Sequence, residues 1–195
     1  MSILLNRILT PATGVFTDGG PFKMNKTYSY SGSWVLNTAT SMANVTNTQV
    51  TTAASQWTLV TSQKNMNPSA LLNSAGAFVA PVDGTYTVCL EGLATSNNNI
   101  TVFESWFTYV GAAGTYGPRI AWSRCTTAQT AATTNSVRTI SLNKNDVLIP
   151  TVYATNTAGT ATSLFANANA APGTGAGLSP PNSTQLSITL INQTN

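Results

Sequence analysis

The sequence contains no histidine, five carboxylates and two cysteines in 195 residues. Without histidine, Ser-His-Asp and Cys-His arrangements are excluded, together with the commonest general base and most transition-metal sites. Cys89 and Cys125 are too few for a disulfide framework and lack a metal-ligand spacing; one bridge between them is possible, and without an export signal free thiols are the expected state. Charge of either sign is scarce, at 7% of residues against about 25% in an average soluble chain. The eight Lys and Arg never adjoin and neither end is a basic run, so the net charge of +3 makes a weak field. Nucleic acid is therefore not an expected partner. At the start, MSILLNRILTPATG is broken by Asn6 and Arg7 before a hydrophobic region forms, and neither a signal peptide nor a membrane span is expected. No internal repeat and no helix of three turns can be read anywhere.

The few carboxylates point to structure more than to chemistry. Asp83 and Asp146 lie in turn contexts, Asp18 in a Gly- and Pro-rich lead segment, and Glu91 and Glu104 on successive apolar stretches. Glu91 and Glu104 are the one candidate acid/base pair, and the plainer reading is one partly exposed carboxylate per strand. No acidic cluster suits calcium, and GAAG at 111–114 lacks the Lys and helix of a phosphate loop. No catalytic, cofactor-binding or metal residue is expected. The five Asn-x-Ser/Thr sequons, at Asn25, Asn44, Asn99, Asn182 and Asn192, match chance in so Asn- and Thr-rich a chain.

What fills the polar places is Thr, Ser and Asn. Thr suits a pleated surface, while Asn and Ser collect at turns, so the composition favours strands. Alternating patterns begin at Tyr28, and short strands follow at 57–60, 85–90, 101–110, 120–125, 136–142, 147–154 and 186–191. Segments 37–55, 111–118, 126–135 and 166–182 read as connections. Residues 1–25, with Pro11, Gly14, Gly19, Gly20 and Pro21, read as an extended arm, leaving 26–195 as one domain. About eight to ten antiparallel strands without helices predict an all-β sandwich, a jelly roll.

TVFESWFTYV, 101–110, has apolar residues on both faces: Val102, Trp106 and Val110 on one, Phe103, Phe107 and Tyr109 on the other. A strand unsuited to water on either side predicts that one face meets another subunit, which makes Phe103, Trp106, Phe107 and Tyr109 the candidate interface. Trp106, Phe107, Tyr109 and Trp122 are also candidates for a sugar-stacking platform, a rarer use of aromatics than packing.

Two segments carry a resemblance. AGAFVAPVDGTYTV, 75–88, places Gly76, Phe78, Pro81, Gly84 and Tyr86 at the spacing of a signature in the trimeric jelly rolls of the tumour necrosis factor and complement globular-head type. SVRTISLNKNDVLIPTVYATN, 136–156, is similar to the same family's Leu-x-x-Gly-Asp-x-Val turn, with Asn145 in the place of Gly. Asn tolerates the left-handed conformation that such a turn requires. The resemblance covers about residues 55–195 and implies the fold and a homotrimer; it implies no ligand. Two functional readings follow. The first is a non-enzymatic virion structural protein, made in the host cytoplasm: a trimeric minor capsid, cement or decoration component, anchored to other shell proteins by residues 1–25. The second is an attachment module that binds a host glycan or protein through loops at 112–117 and 166–181.

Overall fold

Runs of Thr alternating with apolar residues extend the chain into ten strands among the described residues. These are β1 (Ser31–Leu36), β2 (Thr40–Met42), β3 (Thr48–Gln49), β4 (Trp57–Leu59), β5 (Phe78–Val79), β6 (Gly84–Val110), β7 (Tyr116–Leu142), β8 (Val147–Asn156), β9 (Thr162–Leu164) and β10 (Gln185–Gln193). The computed structural model describes residues 30–59, 72–164 and 184–194. The arm at 1–25, the start of the first strand at Tyr28 and the loop at 166–182 lie outside the described residues. Every strand pairing is antiparallel. Among the described residues the helical content is one 3-10 turn, Ala54–Gln56. The expected all-β fold is the observed one.

Two strands run far longer than the sequence pattern predicts. β6 and β7 each extend over 27 residues and pair with one another along their length. Segment 126–135, read as a loop, is strand: its polar residues are Thr, Gln and Asn, but Ala132, Thr134 and the following Ser136 alternate inward and are buried. The ladder bends where β6 carries extra residues, between the pairs Thr95↔Ala131 and Ile100↔Gln129. Ser96, Asn97, Asn98 and Asn99 occupy that bend, residue types that bond readily to local backbone. Before it β6 pairs with β10, and after it with β8. The ten strands form one continuous sheet bent into two layers: β4-β1-β10-β6-β7, with β9 and then β2 joining β6 at the bend, and β8-β6-β7 with β3 and β5 on the outer side of β8. The layers close on each other. A Cβ on Gly92, in the first half of β6, would lie 2.8 Å from Phe103 in the second, and the Ser136 hydroxyl donates to the Ser105 carbonyl at 2.9 Å.

Between the layers lies one apolar core. Tyr86, Val88 and Leu90 from the first half of β6 meet Ile100, Phe103 and Phe107 from the second, with Leu148 and Val152 of β8. Phe103 and Phe107 are fully buried there, which corrects their assignment to a subunit interface: they have no surface left to offer. Strand alternation sends Trp106 to the opposite side, where it is 2% exposed with the Arg119 guanidinium 4.2 Å above its ring. Tyr109 packs against the core margin and donates its hydroxyl to Asp146 at 3.0 Å. The two-sided burial that predicted a neighbour is thus met within the chain.

The resemblance segments are joined to each other. Gly76 has φ 74, and a Cβ there would lie 2.6 Å from Thr51, so both conformation and space require glycine. Phe78 meets Tyr86 edge-on at 5.5 Å, and the Tyr86 hydroxyl donates to the Val82 carbonyl at 2.8 Å. Burial pushes that phenol up to about 12. Pro81 is half-buried at the turn, and a Cβ on Gly84 would strike the Asn192 carbonyl at 2.6 Å. Asn145 takes φ 71, the left-handed conformation expected of it, and its N–H donates to Ala80 at 2.8 Å while Ala80 donates to Asp146 at 2.9 Å. Asp146, 2% exposed, accepts from Tyr109, from the Ala112 N–H at 3.0 Å and from the Asn143 N–H at 2.8 Å. It locks the β7–β8 hairpin to the β6–β7 turn.

Truncating Phe107 to Ala is expected to lower subunit stability in urea titration by about 3–5 kcal/mol. Asp146→Ala, which strands three donors, is expected to lose roughly 1–3 kcal/mol. An unchanged subunit transition in Phe107→Ala would contradict its place in the core.

Candidate functional site

A strand paired on one side leaves a row of N–H and C=O groups on the other. Among the described residues β7 pairs with β6 alone, so it forms the edge of both layers. Its two halves treat that edge differently. In the first half, β7 carries an extra residue at three places: 117–118 opposite Tyr109, 121–122 opposite Trp106 and 127–128 opposite Thr101. Pro118, Arg119 and Arg124 lie in the same stretch. Bulges, proline and charge all twist or blunt an edge against further pairing. Residues 131–142 have none of these devices except Arg138; they pair with 84–95 in unbroken register, and Val137 is 57% exposed.

Beside this regular edge lies the outer face of the first layer. Register sets its side chains in rows: Ser31, Thr189, Thr87 and Thr139; then Ser33, Ser187, Cys89 and Val137; then Val35, Gln185, Glu91 and Asn135. Hydroxyls bond laterally, Ser31 to Thr189 and Thr87 to Thr139, each at 2.9 Å. Glu91, the single charge in these rows, accepts from Asn135 Nδ2 at 3.2 Å. Burial, with Glu91 beside it, pushes the Cys89 thiol up, and both cysteines are free. Several of the rows' polar groups bond to one another and the rows present little charge, as the centre of a protein interface does.

On the second layer's outer face the balance differs. Glu104, 8% exposed, accepts from Arg119 Nη1 at 3.3 Å and from Trp122 Nε1 at 3.2 Å, with Arg124 Nε at 3.6 Å. Of the aromatics considered for a sugar platform, Trp122 is the exposed one, at 50%; Trp106 and Phe107 are buried. Glu91 and Glu104 lie in different halves of β6, each engaged by its own partners, and they form no acid/base pair. Among the described residues no three His, Cys, Asp or Glu side chains gather as metal ligands.

Of the edge residues, Asn135 escapes a reading of sequence that places 126–135 in a loop, while Val137 and Thr139 fall in the strand read at 136–142. The signal was there in Ala132, Thr134, Ser136 and Arg138, which alternate with exposed Thr, Asn, Val and Thr at the period of a strand.

No family model matches the sequence, and no curated protein matches it. Solved structures are similar to it in fold. Eiger, a tumour necrosis factor from S. frugiperda, superposes with a TM-score of 0.59 at 11% identity, covering 86% of this chain and 95% of that one. Murine APRIL superposes with a TM-score of 0.56 at 13% identity, covering 84% of this chain and 100% of that one. Likeness at such identity carries the fold, and the chain has the jelly roll of the tumour necrosis factor type.

Proposed function

We propose that this chain is a non-enzymatic assembly protein: a homotrimer that serves in a virion as a minor capsid, cement or decoration component. The observation that carries the assembly step is the regular edge at residues 131–142, on whose outer side no strand pairs among the described residues. A regular edge this long recruits further chains unless something covers it, and the same strand shows how this fold blunts an edge when it is left open. A second copy seated on 131–142 and on the hydroxyl rows beside it would cover the edge and meet little charge, Glu91 in the rows and Arg138 on the strand. Closed symmetry then limits growth, whereas open edge-to-edge pairing would run on into fibres.

The virion role rests on the chain as a whole. A surface carried by Thr, Ser and Asn, with 7% charge, suits a protein that packs among others. Residues 1–25 are the segment proposed to reach other shell proteins. A second reading, an attachment module, is favoured by the run from Ala112 to Arg119, exposed throughout at the tip of the β6–β7 hairpin. Loops of this kind, held on a rigid scaffold, are where recognition is built.

Sedimentation velocity on purified protein is expected to give a single species of three times the subunit mass. Val137→Lys, which puts a charge at the centre of the proposed contact, is expected to give folded monomers. A monomeric native protein would sink the assembly reading. Deleting residues 1–25 should leave the trimer intact and abolish its incorporation into particles; incorporation at the native level would remove the anchoring role.

A further inference from the structure

Residues three apart on a regular strand point to opposite faces. Arg119 and Trp122 of β7 are three apart, yet both donate to the same oxygen, Glu104 Oε2. The reversal is made by a bulge. Ser105 faces Ser123 and Phe107 faces Ile120, so Ala121 and Trp122 together oppose Trp106. Ala121 takes φ 52, in the left-handed region that is unfavourable for a residue with a Cβ. Its methyl is buried in the core, and Ile120 packs against the same core. Two consecutive residues thus face inward, and Arg119, Trp122 and Arg124 emerge together outside. Bulges re-aim side chains, and strain at a non-glycine residue marks a place where geometry serves more than stability.

The cluster this produces is held in place and only partly used. The Trp122 indole is 50% exposed while its N–H is committed to Glu104, so the ring is oriented with area to spare. Arg119 is braced between Glu104 and the Trp106 ring. Arg124 approaches Glu104 through Nε at 3.6 Å, and among the described residues its Nη pair makes no hydrogen bond. Both guanidiniums are about half-exposed, and two of them surround one carboxylate, leaving a local charge of +1.

We propose that Trp122, Arg119 and Arg124 form a binding site for a sugar that carries a carboxylate. The indole stacks on the C–H face of the ring, and the Arg124 Nη fork donates to the carboxylate. An oriented aromatic face bordered by donors, with Thr108 and Tyr153 on the neighbouring rows, matches a ring fringed with hydroxyls better than it matches an extended peptide. The surplus positive charge selects the acidic sugar over the neutral one. This surface lies on the opposite layer from the hydroxyl rows, so it does not depend on the trimer reading.

The test is a glycan array bearing sialylated, glucuronate-containing and neutral oligosaccharides, probed with the full chain at low and at physiological salt. Binding is expected to the acidic members, weakening as salt rises, and at least tenfold weaker in Trp122→Ala and in Arg124→Gln. Sedimentation and melting temperature of the exposed Arg124→Gln variant are expected to stay native, which separates loss of the site from loss of fold or assembly. Ala121→Gly, which keeps the left-handed backbone, is expected to keep binding. Absence of binding to every acidic glycan, equal binding to neutral ones, or native binding by Arg124→Gln and Trp122→Ala would overturn the proposal.

Discussion

The fold depends on one ladder: β6 paired with β7 for nearly the whole of both strands, through a bend that carries the pair from one layer to the other. The ladder is interrupted at the corner, where residues 96–99 of β6 have no partner on β7, and on either side of it the backbone groups of β6 are met from both sides for most of their length. β10 and then β8 dock on the far side of β6, one on each layer. The core is what the bend encloses. Gly92 against Phe103 and Ser136 against Ser105 show how closely the halves approach, and small residues at those points are a requirement of the closure.

The same ladder decides where the molecule meets others. Putting β6 in the centre of both layers makes β7 an edge of both, the longest edge among the described residues. The first half of that boundary is broken by bulges and by Pro118, and it carries Arg119 and Arg124. The second half is regular and nearly uncharged, and it adjoins a face whose hydroxyls bond to each other. Assembly and recognition, as proposed, divide along this line. One half of β7 suits contact with a copy of the chain, and the other carries a strained bulge that gathers an indole and two guanidiniums around Glu104.

Much of the fold was legible in the residues because its constraints are local. The turn at Asp83 and Gly84, the left-handed Asn145, and the alternation of Tyr86, Val88 and Leu90 each follow from a few neighbours, and each stands as read. What was misread involves more than one strand. The apolar character of residues 101–110 on both faces has two causes that sequence alone does not separate: Phe103 and Phe107 face the core, while Trp106 lies on the other side beneath Arg119. Segment 126–135 reads as a loop because its Thr, Gln and Asn are polar, although an edge strand with one wet face needs few apolar residues. The Glu104 cluster was beyond reach because it depends on a bulge that shifts the strand period by one, and Ala121 carries no sequence mark of a left-handed residue.

The central claim is that the regular edge at 131–142 is covered in the assembled protein. Amide hydrogen exchange reads this directly, since on an edge strand the alternate N–H groups that do not bond to β6 face outward. If a partner copy covers the edge, those outward amides exchange as slowly as the ones bonded to β6, and they become fast when the assembly is diluted to monomers. If they exchange at the rate of open loops in the concentrated native protein, with their inward neighbours protected, the edge is bare and the account of assembly is wrong.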